Sequence, residues 1–193
     1  MQFLDFRLPR EGFACPLDLW SACHDRGRRV AFLLHRLFRH LGEHGPSDAT
    51  RVTAAEVWRY LTEAAPRHHA DEDLDLFPRL QRRLDRRGAD FADAQAATEA
   101  LQRLACEHER IESLWAPLCA ALEQVRERSA TAEQCALADD FVDRFVPHHA
   151  LEEQIILPVA RRLLDREDLA AIGVSMAARR GTTWEALAAG RQH

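Results

Sequence analysis

Two short runs of histidine and glutamate contain the residues of this sequence best suited to binding a metal ion. The run His68–Glu72 reads HHADE and the run His148–Glu152 reads HHALE, and the two begin 80 positions apart. A proline follows each run at the same distance, at Pro78 and at Pro158. An internal repeat of this kind indicates which residues occupy equivalent places in a fold.

Within each run a histidine precedes a glutamate by four positions. In an α-helix, residues four apart differ by about 40° around the axis and about 6 Å along it, so both side chains point from one face toward a common point. We therefore expect His68 and Glu72 to be able to hold one ion. The equivalent pair, His148 and Glu152, is expected to hold another.

Each run is preceded by a long predicted helix with one isolated histidine near its middle. His24 lies in the motif CHDR and His108 lies in EHER. Packing the two copies as an antiparallel bundle is expected to bring four imidazoles and two carboxylates to one level of the interior. A buried charge without a partner costs several kcal/mol, and the total stability of a small domain is only about 5 to 15 kcal/mol. A bound cation removes that cost.

The donor types indicate which cation this would be. Nitrogen and oxygen donors without thiolates favour borderline-to-hard transition metals, so iron is the leading candidate and manganese the second. Six donors in two symmetric groups suit two ions bridged by carboxylates better than one closed tetrahedral zinc. Two histidines per iron and two shared glutamates leave positions for dioxygen, nitric oxide, peroxide or a bridging oxide.

Capping residues, prolines and glycines predict the helices that position these donors. Two sequence pairs have the spacing of a capping box: Thr53 with Glu56, and Thr131 with Gln134. The predicted helices run from Pro16 to the Gly42–Pro46 region, from Thr53 to Gly88, from Asp90 to about Glu127, from Thr131 to about Asp165, and from Glu167 to Gly181.

Short connections between long helices predict an all-α fold, an up-down four-helix bundle with a short extra C-terminal helix. The expected organisation is an N-terminal extended segment over residues 1–15, the bundle over residues 16–166, and a C-terminal helix and tail over residues 167–193. Pro66 and Pro78 lie inside the second predicted helix, and each is expected to kink or divide it.

Composition excludes several classes of function. The chain of 193 residues is 47% apolar and 30% charged, which fits a single helical domain with a buried interior. It contains no lysine, which removes Schiff-base chemistry and any phosphate-loop lysine. A net charge of -5 argues against nucleic acid as a partner.

The sequence also predicts the cellular setting. No segment holds 18 uninterrupted apolar residues, and the N-terminus is charged where a signal peptide is apolar, so we expect neither a membrane span nor export. The five cysteines are odd in number and never spaced as CxxC, which favours reduced thiols in the cytoplasm. A protein partner and a homo-oligomer both remain open.

The motifs resemble the haemerythrin-like, HHE cation-binding family, whose four-helix bundle encloses a non-haem di-iron site. The resemblance covers most of the chain and rests on PLDLWSACHDR, PRHHADEDLDLFPRL, CEHERIESL, VPHHALEEQIILP and the later MAARRG. It implies two iron ions with Glu72 and Glu152 as carboxylate bridges, alongside an oxo or hydroxo bridge. The iron ligands that it implies are His24, His68, Glu72, His108, His148 and Glu152.

The chain departs from part of that family at Glu112. Oxygen-carrying haemerythrins have a second histidine four residues after the third-helix ligand, and Glu112 stands there, which argues against reversible oxygen carriage. The pattern looks more like the bacterial di-iron proteins linked to iron–sulfur cluster repair and nitrosative stress. Those proteins usually carry a further cysteine-containing N-terminal domain, whereas about 15 residues precede the first predicted helix here.

Several neighbouring polar residues are given other roles. We expect His69 and His149 to face flanking helices or solvent, because adjacent helix positions diverge by about 100°. Asp73 and Glu153 are expected either to support the ligands or to be solvated, and Glu112 to be an extra ligand, a proton relay or a salt-bridge partner. His35 is expected to be an interior hydrogen-bonded residue, and His40 and His44 to be exposed.

The leading hypothesis is a di-iron protein that binds or reacts with a small diatomic or peroxide ligand, in sensing, detoxification or iron handling. The alternative is an enzyme of oxidative or nitrosative stress defence that decomposes peroxide or repairs iron–sulfur clusters. A third hypothesis is a metal-free helical adaptor whose histidines only pack. These three are separated by metal content, by turnover of peroxide, and by the effect of a chelator on stability.

Overall fold

Proline and glycine set the two ends of the first helix. Pro16 begins it, at a position where a missing N–H costs nothing. Gly45 follows its last residue with a φ of 74°, a left-handed conformation that favours glycine. The computed structural model describes residues 12–87 and 93–182, and all regular structure within these ranges is helical. The predicted all-α class is confirmed, and the up-down order of the bundle stays a prediction.

The described residues form eight α-helices, one 3₁₀ turn and three π-helical turns. The 3₁₀ turn is Gly12–Ala14, and the π turns are Tyr60–Ala64, Glu72–Leu76 and Glu152–Ile156. The α-helices are α1 (Pro16–His44), α2 (Asp48–Arg59), α3 (Ala65–Asp71), α4 (Phe77–Arg87), α5 (Ala94–Gln124), α6 (Ala132–Leu151), α7 (Leu157–Leu163) and α8 (Arg166–Arg179).

The start of α2 differs from the sequence prediction. Ser47, and not Thr53, is the N-cap, because its side chain accepts from the Thr50 backbone N–H and the Thr50 hydroxyl accepts from the Ser47 backbone N–H. Thr53 lies inside the helix and donates its hydroxyl to the Ala49 carbonyl. The predicted Thr53 capping box is therefore wrong, and the second helix begins earlier than predicted.

Of the other predicted helix ends, two are confirmed and others lie outside the residues that the structure describes. Thr131 and Gln134 exchange both hydrogen bonds of a capping box at the start of α6. Gly181 has a φ of 67° just after α8, as predicted for a left-handed stop. The expected stop at Gly88, the expected cap at Asp90 and the tail after residue 182 lie outside the described residues.

Three prolines each stand two positions after the end of a π turn, at Pro66, Pro78 and Pro158. A proline cannot donate a backbone hydrogen bond, and its ring clashes with the carbonyl four residues earlier. Widening the preceding turn so that bonds run over five residues avoids this conflict. The prediction that Pro66 and Pro78 divide the second helix is confirmed. Pro158 divides the fourth predicted helix in the same way.

The chain divides into two compact units. Unit 1 contains the described parts of Met1–His24, Arg67–Arg103 and Leu151–His193, and unit 2 contains Asp25–Pro66 and Leu104–Ala150. In unit 1, α4 packs against α7, and α8 packs against both the Gly12–Ala14 turn and the Glu72–Leu76 turn. Aromatic and aliphatic side chains fill each core, including Trp20, Leu80 and Ile156 in unit 1 and Phe38, Phe141 and Phe145 in unit 2.

Two further sequence expectations concern cysteines and membranes. All five cysteines lie among the described residues, and no disulfide joins any of them. Burial raises the pKa of the Cys119 thiol, and that of Cys135, so both side chains are protonated near neutral pH. Of the helices that the structure describes, none combines the length and the apolar character needed to cross a bilayer.

Candidate metal centre

Unit 1 gathers four of the six predicted donors from three separate stretches of the chain. His24 projects from α1 and His68 from α3. Glu72 and Glu152 are each the first residue of a π turn, so the two turns that precede Pro78 and Pro158 also present the two carboxylates. All four side chains are at most 3% exposed.

The donor atoms of these four residues converge. His24 Nε2 lies 3.3 Å from a carboxylate oxygen of Glu152 and 3.6 Å from Glu72 Oε1. His68 Nε2 lies 3.2 Å from the same Glu72 oxygen, as the four-residue spacing predicted. Donor atoms of His24, His68 and Glu152 all lie within 4.8 Å of one another. Two imidazoles and two carboxylates therefore face one small volume inside unit 1.

The carboxylates of this cluster favour the protonated, positively charged form of His24. Burial lowers the pKa of His24, but the carboxylates of Glu152, Glu153 and Glu72 more than offset that effect and raise it to about 9. A buried histidine without such neighbours would lose its charge. The unit 1 cluster thus has a net negative potential that a cation can neutralise, and its nitrogen and oxygen donors are those that iron and manganese accept.

Two residues fix the orientation of these donors. The Trp20 indole N–H donates to Glu72 Oε1 at 2.5 Å, and Trp20 is buried with its ring edge against His24. His24 Nδ1 lies 3.3 Å from Glu153, and a carboxylate only accepts, so the imidazole donates from Nδ1. That bond orients the ring so that Nε2 faces Glu72 and Glu152.

Glu153 and Asp73 were each expected either to support a ligand or to be solvated, and they differ in the structure. Glu153 is 27% exposed and accepts from both His24 and the Ser21 hydroxyl. Asp73 is exposed. Glu153 therefore supports a candidate ligand, whereas Asp73 is a surface residue.

Unit 2 contains the remaining two candidate donors. His108 on α5 and His148 on α6 are both buried, and their Nε2 atoms lie 3.1 Å apart. Glu107, which is 19% exposed, accepts from His148 Nδ1 at 3.1 Å. The two Nε2 atoms thus face each other, an arrangement in which one cation can accept both lone pairs.

Sequence reasoning did not identify Trp20 or Glu107 as partners of the donors. Trp20 lies 52 positions before Glu72, and Glu107 lies 41 positions before His148. Each contact depends on how two helices are aligned along their axes, and no local motif encodes that alignment. Glu153 could be singled out only because it follows the repeated glutamate.

His69 and His149 are both buried, so the solvent-facing alternative for these residues is wrong. In unit 2 the ring of His149 packs edge-on against Phe145, with ring centres 4.2 Å apart. Gly27 of α1 makes room for this pair, because a Cβ there would lie 2.7 Å from His149 and 2.7 Å from the Tyr60 hydroxyl. His149 is thus held between α1 and the Phe145 ring, as expected for a residue facing flanking helices.

Gly27→Ala should destabilise the protein by about 1–3 kcal/mol, because the added methyl overlaps two rigid aromatic rings. Gly42→Ala is the matched control on the same helix, since a Cβ there meets its nearest atoms at 3.7 and 3.8 Å. Removing a mid-helix glycine without a clash should stabilise by about 0.5–1 kcal/mol. Urea unfolding measures both variants, and equal effects of the two would contradict tight packing at Gly27.

The other polar residues lie at or near the surface. His35 is hydrogen-bonded as expected, at 2.7 Å from Asp139, but it is partly exposed and not interior. His40 and His44 are exposed, as predicted. Glu112 is exposed as well, which does not support its role as an additional buried ligand.

Comparison with known proteins identifies the family of this chain. The sequence model of the hemerythrin HHE cation-binding domain matches residues 15–160, a range that includes all six candidate donors. An uncharacterised protein of Haemophilus influenzae is 28% identical to this chain over 165 residues, which cover 86% of this chain and 90% of that protein. The chain belongs to the hemerythrin HHE cation-binding domain family, whose domain binds metal cations.

Proposed function

We propose that this chain is a haemerythrin-like non-haem di-iron protein that binds or reacts with dioxygen, nitric oxide or peroxide, in sensing, detoxification or iron handling. The observation that carries the proposal is the buried convergence of His24, His68, Glu72 and Glu152 in unit 1. The full proposed ligand set is His24, His68, Glu72, His108, His148 and Glu152.

The unit 1 donors support one ion. Two neutral imidazoles and two carboxylates neutralise a divalent ion, and an octahedral ion keeps positions for further ligands. Burial of two carboxylates among apolar residues is costly unless a cation or donors compensate it. Metal binding therefore explains why the fold retains these charges at its centre.

The unit 2 donors support a second ion. His108 and His148 direct their Nε2 atoms at each other, and Glu107 holds His148 through its other nitrogen. Neutral histidine with a carboxylate on the second nitrogen is a common arrangement for metal ligands. The bridging role of Glu72 and Glu152, which the family resemblance implies, belongs to this proposal.

Iron in such a site supplies redox chemistry and open positions for a small ligand. The protein contributes orientation and exclusion of water. Trp20 holds Glu72 in place, and Glu153 holds His24. The buried apolar side chains around them allow only small molecules to reach the site.

The small-ligand proposal is tested by the optical spectrum of the reduced, iron-loaded protein before and after separate additions of dioxygen, nitric oxide and peroxide. We expect at least one addition to produce new absorbance that His68→Ala lacks and His40→Ala retains. A stable, reversible band with dioxygen indicates carriage, and continued turnover of peroxide indicates an enzyme. Bound iron whose spectrum responds to none of the three would contradict the proposal.

A further inference from the structure

The C-terminal helix α8 reaches the π turn that presents Glu72. Arg179, the last residue of α8, donates to Asp71 at 2.7 Å and also to Asp75. Arg180 donates to the other oxygen of Asp71 at 2.7 Å. We call these four residues, Asp71, Asp75, Arg179 and Arg180, the arginine clamp.

The arginine clamp is more buried than an ordinary surface ion pair. The side chains of Asp71 and Asp75 are 2% and 9% exposed, and both arginines are 21% exposed. Arg179 and Arg180 each donate to a different oxygen of Asp71, which offsets part of the cost of burying this carboxylate. Removing one partner of such a pair leaves a buried charge uncompensated and is strongly destabilising.

Of the two carboxylates of the clamp, one precedes Glu72 in the sequence and the other follows it. Asp71 is the last residue of α3, directly before Glu72, and Asp75 lies within the Glu72–Leu76 turn. The turn closes through a bond from the Phe77 N–H to the Glu72 carbonyl, five residues apart. Because a π turn interrupts the regular helical hydrogen-bond pattern, contacts from another element can decide its conformation.

An arginine side chain suits this position because its planar guanidinium can donate hydrogen bonds to two carboxylates at once. Arg179 uses separate nitrogens for Asp71 and Asp75, so it spans the turn at a fixed width. Arg180 adds a second contact to Asp71 and lies 5.8 Å from the centre of the Phe13 ring. The end of α8 is thereby fixed against two neighbouring segments of unit 1.

We propose that Arg179 and Arg180 are positioning residues of the metal centre, which hold the Glu72 turn in its binding geometry from outside the bundle motif. The inference rests on the proposed function, in which Glu72 binds a metal ion. Both arginines lie beyond residues 15–160, the part of the chain that matches the family. The C-terminal helix is thus a component of the site that the shared domain does not include.

The chain offers a matched control at the other end of α8. Arg83 of α4 donates to Asp168 at 2.6 Å and also to Asp165, and it is 27% exposed. Arg83→Met therefore weakens the attachment of α8 while keeping the hydrogen bonds that Arg179 and Arg180 donate to Asp71 and Asp75. Arg179→Met removes a comparable attachment of α8, one that includes the hydrogen bonds to Asp71 and Asp75.

The experiment compares iron release to a chelator, and amide hydrogen exchange of residues 72–77, in the full-length wild type and both variants. We expect Arg179→Met to release iron faster than wild type, by up to about 10–100-fold if the loss of affinity typical of a residue that supports a ligand appears in the release rate. Arg83→Met should release iron at the wild-type rate. In the metal-free protein, exchange of residues 72–77 should rise in Arg179→Met and not in Arg83→Met.

Equal iron release by the two variants, or unchanged exchange in Arg179→Met, would overturn the inference. If Arg179→Met does not fold, Arg180→Met tests the same clamp with both Arg179 contacts kept, and should release iron faster than Arg83→Met. A wild type that binds no iron would contradict the proposed function instead. The exchange measurement on metal-free protein still decides whether the clamp orders the turn.

Discussion

Stripping the metal from the protein should lower its melting temperature by roughly 8–16 °C. A ligand that binds only the native state, present at about 1,000 times its Kd, stabilises by about 4.1 kcal/mol. Each kcal/mol shifts the melting temperature of a chain of this size by about 2–4 °C. The shift is expected because the donors of unit 1 are buried and gathered only in the folded state. Circular dichroism melting of iron-loaded and chelator-treated protein measures it.

Two variants test whether the change in melting temperature comes from metal bound at the proposed site. Glu72→Gln keeps the shape of the side chain but removes the charge that faces His24 and His68. It should abolish most of the metal-dependent shift, whereas His40→Ala, at an exposed position, should keep it. A full metal-dependent shift in Glu72→Gln would place the stabilising ion elsewhere.

Trp20→Phe should weaken metal binding by about 10–100-fold, although no metal ligand is changed. Phenylalanine keeps an aromatic ring beside His24 but cannot donate to Glu72 Oε1. The buried carboxylate then loses a charge-assisted hydrogen bond, which should also cost about 1–3 kcal/mol of stability in the metal-free protein. Competition with a chelator of known affinity measures the first effect, and urea unfolding measures the second.

Trp58→Phe is the control for this variant, because Trp58 is 37% exposed and lies in unit 2. It should leave metal affinity unchanged. Wild-type affinity in Trp20→Phe would show that the indole N–H does not orient Glu72, and that Trp20 acts only as a packing residue.

Local spacing predicted the parts of the site that depend on one helix. His68 and Glu72 are four residues apart, and the structure brings Nε2 and Oε1 to 3.2 Å. The repeat pointed to Glu152 as the equivalent of Glu72, and each begins a π turn. The His68–Glu72 contact could be predicted because helical geometry fixes the relation between residues four apart, and the metal-binding roles of these residues stay a prediction.

Contacts between distant helices could not be predicted in the same way. Glu153 supports His24 across 129 positions, and Arg179 reaches Asp71 across 108. Such pairs depend on the axial alignment and rotation of packed helices, which the composition of either helix leaves open. Pro66 and Pro78 predicted interruptions of the second helix, but not that each interruption would be a π turn, nor that one of those turns would begin with Glu72.

The start of α2 shows how a local motif can mislead. Thr53 and Glu56 have the spacing of a capping box, yet Ser47 and Thr50 form the box that the protein uses. Gly45 follows the last residue of α1 with a left-handed φ, and Ser47, two residues later, caps the next helix. Thr53 then falls within a helix that has already begun.

Anomalous diffraction at the iron absorption edge, from crystals of the iron-loaded chain, locates the bound ions. We predict two iron peaks per chain, one of them bonded to the Nε2 atoms of His24 and His68 and to the carboxylates of Glu72 and Glu152. Iron bound only at other residues, or no iron peak in crystals grown with iron present, would contradict this prediction.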